Sequence, residues 1–460
     1  MSVTDTIFAL ATPVGQSAIA IIRISGPIAH DIPEKFGVPK IFMKDKPVAR
    51  YCRLKDVNGQ IIDDVMLLLF PFNSSPTGEK ITEIQCHGSQ IVIQIILDNL
   101  AEIEGTRPAQ SGEFSRRSFS NGKMGLTDLE GVADLIEART SNQHIQAMSL
   151  MTGKLSNQLS LYRENLISLS SALEAVIDFS DEELPEDVVD DFAANIQKLR
   201  LQIIKLIEDS KYAEQIREGI KVSLIGPVNA GKSTILNALA KREVAIVSSI
   251  AGTTRDVIEV QLNLDGMAVI LRDTAGVRET RDAIETKGIK RAKNVAEESD
   301  LTLLVLDVSN PLWEQELSYY ETWNISRALV VLNKADLISE EELKRKLQCI
   351  NPTALGQLDF LIVSFKRQKS PETLIKKITE ILSYINHSNN DVRLTRPWHK
   401  NVCLSVSSAL ARAMELNSKE EPELVAEELR LAYNALGRLT GHVDVDDLLD
   451  KIFSNFCIGK

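Results

Sequence analysis

The order of apolar and polar positions divides the chain into stretches of different period. Thr6 to Ala11 and Ala18 to Ile24 are short apolar runs, the second closed by Ser25-Gly26-Pro27. Asp64 to Phe70 has a buried-strand pattern stopped by Pro71, and Ile81 to Cys86 alternates apolar with polar. These four read as strands, because successive side chains of a strand face opposite sides of a sheet. Ile91 to Ile103 then repeats apolar residues at helical spacing, which predicts an α+β domain over residues 1–122.

From Thr127 the period lengthens. Leu129, Val132, Ala133, Ile136 and Ala138 follow at helical intervals, and Thr127 with Glu130 three residues on has the form of a capping box. Longer helices are predicted over Leu155 to Phe179 and Asp187 to Arg217, separated by the acidic Ser180-to-Pro185 stretch and closed by Gly219. Asn386 to Asn390 reads as a linker. Helical periodicity returns over Asn401 to Leu416, Pro422 to Gly437 and Asp444 to Phe453. Between these blocks, short apolar runs at Val222 to Ile225, Ala268 to Leu271, Leu301 to Leu306 and Ala328 to Leu332 read as buried strands. The ends of an inserted domain usually lie close together. The economical fold is therefore multidomain: an α+β N-terminal domain, a helical bundle built from residues 123–219 and 383–460, and an α/β domain, 220–382, inserted into it.

The insert carries the chemistry. Val222 to Ile225 leads into Gly226-Pro-Val-Asn-Ala-Gly231-Lys232-Ser233, and a helical run from Thr234 to Ala240 follows. This is a P-loop in the context it requires, strand before and helix after, where backbone N–H groups and a helix N-terminus meet phosphate. Asn229, Ala230, Gly231, Lys232, Ser233 and Thr234 are the phosphate-binding candidates, with Lys232 directed to the β and γ phosphates and Ser233 to Mg²⁺. Ala268 to Leu271 leads to Asp273-Thr274-Ala275-Gly276, the carboxylate and glycine expected beside Mg²⁺ and the γ-phosphate. Asn333-Lys334-Ala335-Asp336 follows the strand at Ala328 to Leu332. A carboxylate there can accept from guanine N1–H and the 2-amino group, donors that adenine lacks, so the nucleotide is GTP. Ser364-Phe365-Lys366 stands as the second guanine-side loop, with Phe365 needing more room than a small residue. Between P-loop and Asp273 lies Ser248-Ser249-Ile250-Ala251-Gly252-Thr253-Thr254, with Thr254 the switch threonine that would join Ser233 on Mg²⁺.

The residue after Gly276 is Val277, which cannot orient an attacking water as a glutamine would. Asp282 and Glu285 are the nearest carboxylate candidates, and Arg255 and Arg278 the nearest cations.

Composition changes the picture in three ways. A net charge of -12 opposes diffuse attraction to nucleic acid, so an RNA contact needs a local basic patch. Arg116, Arg117 and Lys123 form one such cluster, and Arg393, Arg396, His399 and Lys400 another; either reads equally as a solvated face. The five cysteines are dispersed with no CxxC pair, which fits a reducing compartment. There is no basic start before an apolar run and no membrane-spanning stretch, so the expected location is the cytoplasm, without membrane attachment. Cys457 is fourth from the end, but a terminal Lys460 does not fit a prenylation signal.

Taken together, Gly112-Glu113-Phe114-Ser115-Arg116, Asn229-Ala230-Gly231-Lys232-Ser233, Gly252-Thr253-Thr254-Arg255-Asp256 and the terminal Phe456-Cys457-Ile458-Gly459-Lys460 resemble the tRNA-modification GTPase MnmE (TrmE) family over essentially the whole chain. The resemblance implies a homodimer formed through a folate-binding N-terminal domain. It also implies an FAD-dependent partner, MnmG (GidA), in a heterotetramer or larger assembly. The implied product is an aminomethyl or carboxymethylaminomethyl group at carbon 5 of the tRNA wobble uridine. The carbon comes from a tetrahydrofolate derivative in its 5-formyl or methylene form. By the same resemblance K⁺, held by Asn229, Ser248, Ile250 and Thr253, replaces an arginine finger when two GTPase domains meet, and Glu285 is the catalytic acidic residue. Arg23, Glu83, Lys123 and Lys460 are implied for folate, and Cys457 for the modification step. Gln85-Cys86-His87-Gly88-Ser89 departs from the glycine-richer stretch expected there. A regulatory or ribosome-assembly switch GTPase without carbon chemistry is the competing reading, since the GTPase motifs alone fit both.

Overall fold

The computed structural model describes residues 5–42, 45–178, 186–241, 245–246, 258–273, 292–350 apart from 322, 324 and 326, 359–365, 370–386, 392–416, 420–441 and 459. Two compact units emerge: residues 1–133, 150–201 and 402–460 form one, and residues 134–149 with 202–401 the other.

The first unit opens with a six-stranded sheet: β1 (Thr6–Leu10), β2 (Ser17–Ser25), β3 (Val48–Lys55), β4 (Ile61–Phe70), β5 (Ile81–Gly88) and β6 (Thr106–Pro108), in the order β3-β4-β5-β2-β1-β6. Its pairs are antiparallel except β1 with β6. Alternate residues Ala20, Ile22 and Ile24 of β2, Val65, Leu67 and Leu69 of β4, and Ile84 and Cys86 of β5 enter one core. That core is closed by Ile93, Ile96 and Leu100 of the helix Gln90–Ala101, which sit at helical spacing on one face. The strand β3 was not read from the sequence. Its exposure pattern explains why: only Leu54 is buried, so no apolar alternation marks an edge strand that has one neighbour.

In the same unit the helix Lys154–Asp178 packs along Pro422–Thr440. Leu155, Leu159, Tyr162, Leu166 and Leu173 are buried on the first, and Val425, Leu429, Ala432, Leu436 and Leu439 on the second. Arg200 Nε donates to the Ser407 carbonyl at 3.3 Å, a further tie between the earlier and later helical segments. The helix starting near Thr127 begins instead at Leu126, with Thr127 fully buried inside it. The Asp128 carboxylate reaches back to the Gly125 N–H at 2.9 Å and satisfies an initial donor, so the capping box is displaced by an aspartate. The helix expected over Asp187 to Arg217 is two, Glu186–Asp209 and Ala213–Glu218. Ser210 ends the first, its hydroxyl donating to Leu206 O at 2.6 Å and accepting from the Leu394 N–H at 2.7 Å.

The second unit holds a seven-stranded sheet: β7 (Ile220–Ile225), β8 (Ala245–Ile246), β9 (Ile258–Leu264), β10 (Met267–Asp273), β11 (Leu301–Asp307), β12 (Ala328–Asn333) and β13 (Asp359–Ile362), ordered β13-β12-β11-β7-β10-β9-β8. The five strands from β13 to β10 run parallel and β8 and β9 antiparallel to their neighbours. Central strands are buried on both faces, which is why β11 and β12 read as unbroken apolar runs. Leu303 and Val305 enter one core with Val222 and Leu224, whereas Leu304 and Leu306 enter the other with Trp313, Tyr320 and Trp323. In such an open sheet, ligands bind where the carboxyl ends of the strands meet their loops. There β7, β10, β11 and β12 deliver Gly226, Asp273, Asp307 and Asn333.

Candidate functional site

The P-loop leaves β7 at Gly226, whose φ is +143°. A Cβ at Gly226 would stand 2.1 Å from the Val305 carbonyl oxygen, so only glycine lets the chain turn beside β11. Asn229 follows at φ +64°, a left-handed conformation that asparagine tolerates best after glycine. Gly231 at φ +104° precedes the helix Lys232–Ala240, and a Cβ there would lie 2.3 Å from the Asn333 side-chain nitrogen. The loop and the guanine tetrad are thereby interlocked: Asn333 Nδ2 donates to the Ala230 carbonyl at 2.8 Å. Ala230 and Asn333 are both buried.

The helix N-terminus carries the two phosphate-side groups. Lys232 is buried, and its ammonium donates to the Gly226 and Pro227 carbonyls at 2.7 Å each, folded over the loop. Ser233 Oγ lies 3.4 Å from Asp273 Oδ2. A hydroxyl one bond into the helix and a carboxylate at the end of β10 form an oxygen pair of the kind that Mg²⁺ takes directly and through water. The residues present fit that ion. Thr234 occupies the next position of the same helix.

On the base side, Lys334 is in the left-handed region at φ +62°, and its ammonium meets Asp307 Oδ2 at 2.6 Å. Burial opposes ionisation of Asp307. The Lys334 ammonium and the Ser309 hydroxyl and N–H outweigh it and hold the carboxyl below its ordinary value. The Ala335 N–H donates to the Val363 carbonyl at 3.3 Å, and Ser364 Oγ donates to Asp336 Oδ1 at 2.6 Å. Ser364 therefore orients the carboxylate from which guanine recognition is expected. Phe365 finds its room by packing against the core under the sheet. Asp307 was missed by sequence reasoning: an aspartate ending an apolar run carries no motif signal.

Several expected residues fall outside the described residues: Ser248, Ser249, Ile250, Ala251, Gly252, Thr253, Thr254, Thr274, Ala275, Gly276, Glu285, Lys366, Cys457 and Lys460. Asp282, Arg255 and Arg278 do so as well.

A second constellation lies in the first unit. Arg23 on β2 and Glu83 on β5 face each other across paired strands, and Arg23 Nε meets Glu83 Oε1 at 2.8 Å. The same guanidinium donates to the Gly459 carbonyl at 3.4 Å and lies over the Phe114 ring, 5.8 Å from its centroid. Gly459 is buried there, against the Arg23–Glu83 pair. Lys123 instead donates to the Asn73 carbonyl at 3.1 Å and sits over Phe72. His87, in the stretch that departs from expectation, holds Asp63 through Nδ1 at 2.7 Å, and Cys86 beside it is buried.

The two basic clusters are largely spent inside the fold. Arg117 is paired with Glu79 at 2.9 Å and Glu113 at 3.3 Å, and Arg107 also grips Glu113. Arg396 meets Asp134 at 2.9 Å, and His399 is wholly buried. Lys123 and Lys400 of the same clusters remain exposed. Among the described residues no helix is long and apolar enough to cross a membrane, and no cluster of three His, Cys, Asp or Glu could hold a metal by itself.

Comparison with known proteins agrees with this layout. Residues 6–123 match the model described as the GTP-binding protein TrmE N-terminus, and residues 126–457 match the MnmE helical domain. The tRNA modification GTPase MnmE of Cereibacter sphaeroides (strain ATCC 17025) is 39% identical over 99% of this chain and 100% of its own length. Those of Bradyrhizobium sp. (strain ORS 278) and Anaplasma phagocytophilum are each 40% identical over 99% of both chains. Among solved structures, the G domain of the T. maritima FeoB iron transporter is 25% identical with a TM-score of 0.26, covering 35% of this chain and 98% of that one. That score is too low to add to the argument. The N-terminal and helical family models together span nearly the whole sequence, and the relatives match end to end: the chain is a GTPase that belongs to the tRNA modification GTPase MnmE family.

Proposed function

We propose that this GTPase drives modification of carbon 5 of the wobble uridine of certain tRNAs, with a tetrahydrofolate derivative as the one-carbon source and an FAD-dependent MnmG-type partner. The observation that carries the finer reading is the tail: Gly459 is seated on the Arg23–Glu83 pair, and Cys457 is only two residues from it. A reduced folate offers a pterin edge with N–H donors, which suit Glu83, and glutamate carboxylates, which suit Arg23, Lys123 and Lys460. Carbon transfer from folate calls for a nucleophile, the role assigned here to Cys457. The described thiols do not compete for the role. Burial pushes Cys86 up to about 11 and Cys403 up to about 12, and it raises Cys52 as well.

In the GTPase unit, Lys232 binds the phosphates, Ser233 with Thr254 holds Mg²⁺, and Asp336, oriented by Ser364, selects guanine. Val277 cannot orient water, so hydrolysis needs groups from elsewhere: the Glu285 carboxylate to orient the water, and K⁺ at Asn229, Ser248, Ile250 and Thr253 when the GTPase domains of a homodimer approach. Asn229 supports this, because it stands in the left-handed region of the P-loop and is exposed. The four-part organisation at residues 1–122, 123–219, 220–382 and 383–460, in the cytoplasm, is part of the same proposal.

The test is GTP hydrolysis in KCl and NaCl at matched ionic strength, with ATP as control. The proposal expects stimulation by K⁺ alone, on the order of tenfold or more, since one cation supplying transition-state charge is worth several kcal/mol. Equal rates in the two salts would leave an ordinary switch GTPase and remove Asn229 from cation binding.

A further inference from the structure

We propose that Asp307 is a positioning residue for guanine recognition, acting through Lys334 on the Asp336 carboxylate. The inference rests on the reading of Asn333–Asp336 as the guanine-selecting loop.

The constraint on Lys334 starts in the backbone. Asp307 and Asn333 are register partners on β11 and β12, and the Val308 N–H donates to the Asn333 carbonyl at 3.1 Å. The next residue, Lys334, must then turn away from the sheet, and it does so in the left-handed region at φ +62° and ψ +29°. For a residue with a Cβ this conformation costs roughly 1–2 kcal/mol and persists only where something holds it. The holding contact is its own side chain, whose ammonium reaches Asp307 Oδ2 at 2.6 Å. Asp307 is itself fixed: its other oxygen accepts from the Ser309 N–H at 2.9 Å and the Ser309 hydroxyl at 2.6 Å. Its side chain is only 15% exposed, whereas an ordinary surface ion pair leaves both partners free to wander.

The direction set at Lys334 is passed on at once. Ala335 and Asp336 follow in a single 3-10 turn, and Asp336 meets Ser364 at 2.6 Å. Releasing Lys334 from Asp307 lets the strained residue relax and swings the Asp336 carboxylate from that position. Asp307 touches neither base nor phosphate in this scheme. Its contribution is pre-organisation: the ordering of a long side chain and a strained turn is completed before nucleotide arrives.

A positioning role makes a prediction that general loosening of the fold does not. Guanine offers two donors to Asp336, N1–H and the 2-amino group, and hypoxanthine offers only the first. A displaced carboxylate loses the advantage of the second donor, so the variant should lose affinity for GDP more than for IDP.

The experiment measures GDP and IDP dissociation constants of the full chain carrying D307N, K334M or both. The expected D307N result is a roughly tenfold weaker GDP affinity and a roughly two- to threefold weaker IDP affinity, with KM for GTP rising more than kcat falls. K334M should match it, and the double variant should lose no more than either single one, since the two act as a unit. Equal losses for GDP and IDP, unchanged affinities, or multiplying losses in the double variant would each overturn the proposal. If D307N does not fold, S309A gives the same reading: it removes one of three donors to the carboxylate and should narrow the GDP-to-IDP ratio about twofold. D336A tests the underlying reading separately. It should abolish the GDP-to-IDP preference, and a preserved preference would sink the tetrad assignment itself, whatever D307N does.

Discussion

At the scale of single residues, side chains that look alike in the sequence part company once burial is known. Cys403 is wholly buried and its thiol is pushed up to about 12, so it stays neutral in the native state where an unfolded thiol ionises. Folded protein then binds the proton more tightly than unfolded. The stabilisation is complete below the unfolded value of 9.0 and is lost as pH rises from there toward 12. Cys403→Ala should cost about 1 kcal/mol at pH 8, the loss of one buried sulfur. Above pH 9 the wild type should lose about 1.4 kcal/mol per pH unit relative to the variant, so the gap vanishes at about pH 10 and then inverts. Urea melts of both at pH 8 and pH 10 check this, and parallel curves would contradict it. Motif residues were the legible ones. Ser233 meets Asp273 and Asn333 meets Ala230 of the P-loop, and these residues drew notice in the sequence because their motifs have fixed residue types at fixed offsets. Asp307 and the Arg117–Glu79 and Arg396–Asp134 pairs were illegible. Their partners lie far away in sequence, and a charged residue in isolation carries no mark of being paired.

At the scale of elements, legibility followed burial on the second face. The doubly covered β11 and β12 announce themselves, and the edge strand β3 and the half-exposed β9 do not. The element most sensitive to a single methyl group is the β7-to-helix turn. In Gly226→Ala the new Cβ meets the Val305 backbone oxygen at 2.1 Å, and neither β7 nor β11 can give, since both lie inside the sheet. Strain of this kind costs about 1–3 kcal/mol. It falls on the loop proposed to hold phosphate, so GDP affinity should drop by about 100-fold, which isothermal titration of the variant would measure. An affinity within threefold of wild type would show that the P-loop reaches its binding conformation by another route. Helix ends were the least legible feature. Asp128 rather than Thr127 satisfies the Gly125 N–H, and Ser210 rather than a glycine ends the long helix before Ala213.

At the scale of the whole molecule, two compact units with separate cores imply two unfolding events rather than one. The GTPase sheet lies wholly in one unit, so GDP at 100 times its dissociation constant should stabilise that transition by about 2.7 kcal/mol and leave the other in place. Differential scanning calorimetry with and without GDP reads this directly, and a common shift of both transitions would mean that the units unfold as one. The order in which the chain is made matters too. The apolar stripe of Lys154–Asp178 is covered by Pro422–Thr440, which leaves the ribosome about 240 residues later. At typical synthesis rates that is a delay of roughly ten to fifty seconds, during which the GTPase sheet can fold but Leu159, Leu166 and Leu173 have no mate. A nascent chain of this design spends its youth with a greasy helix uncovered, and chaperone supply rather than intrinsic stability would then limit how much active protein a cell obtains.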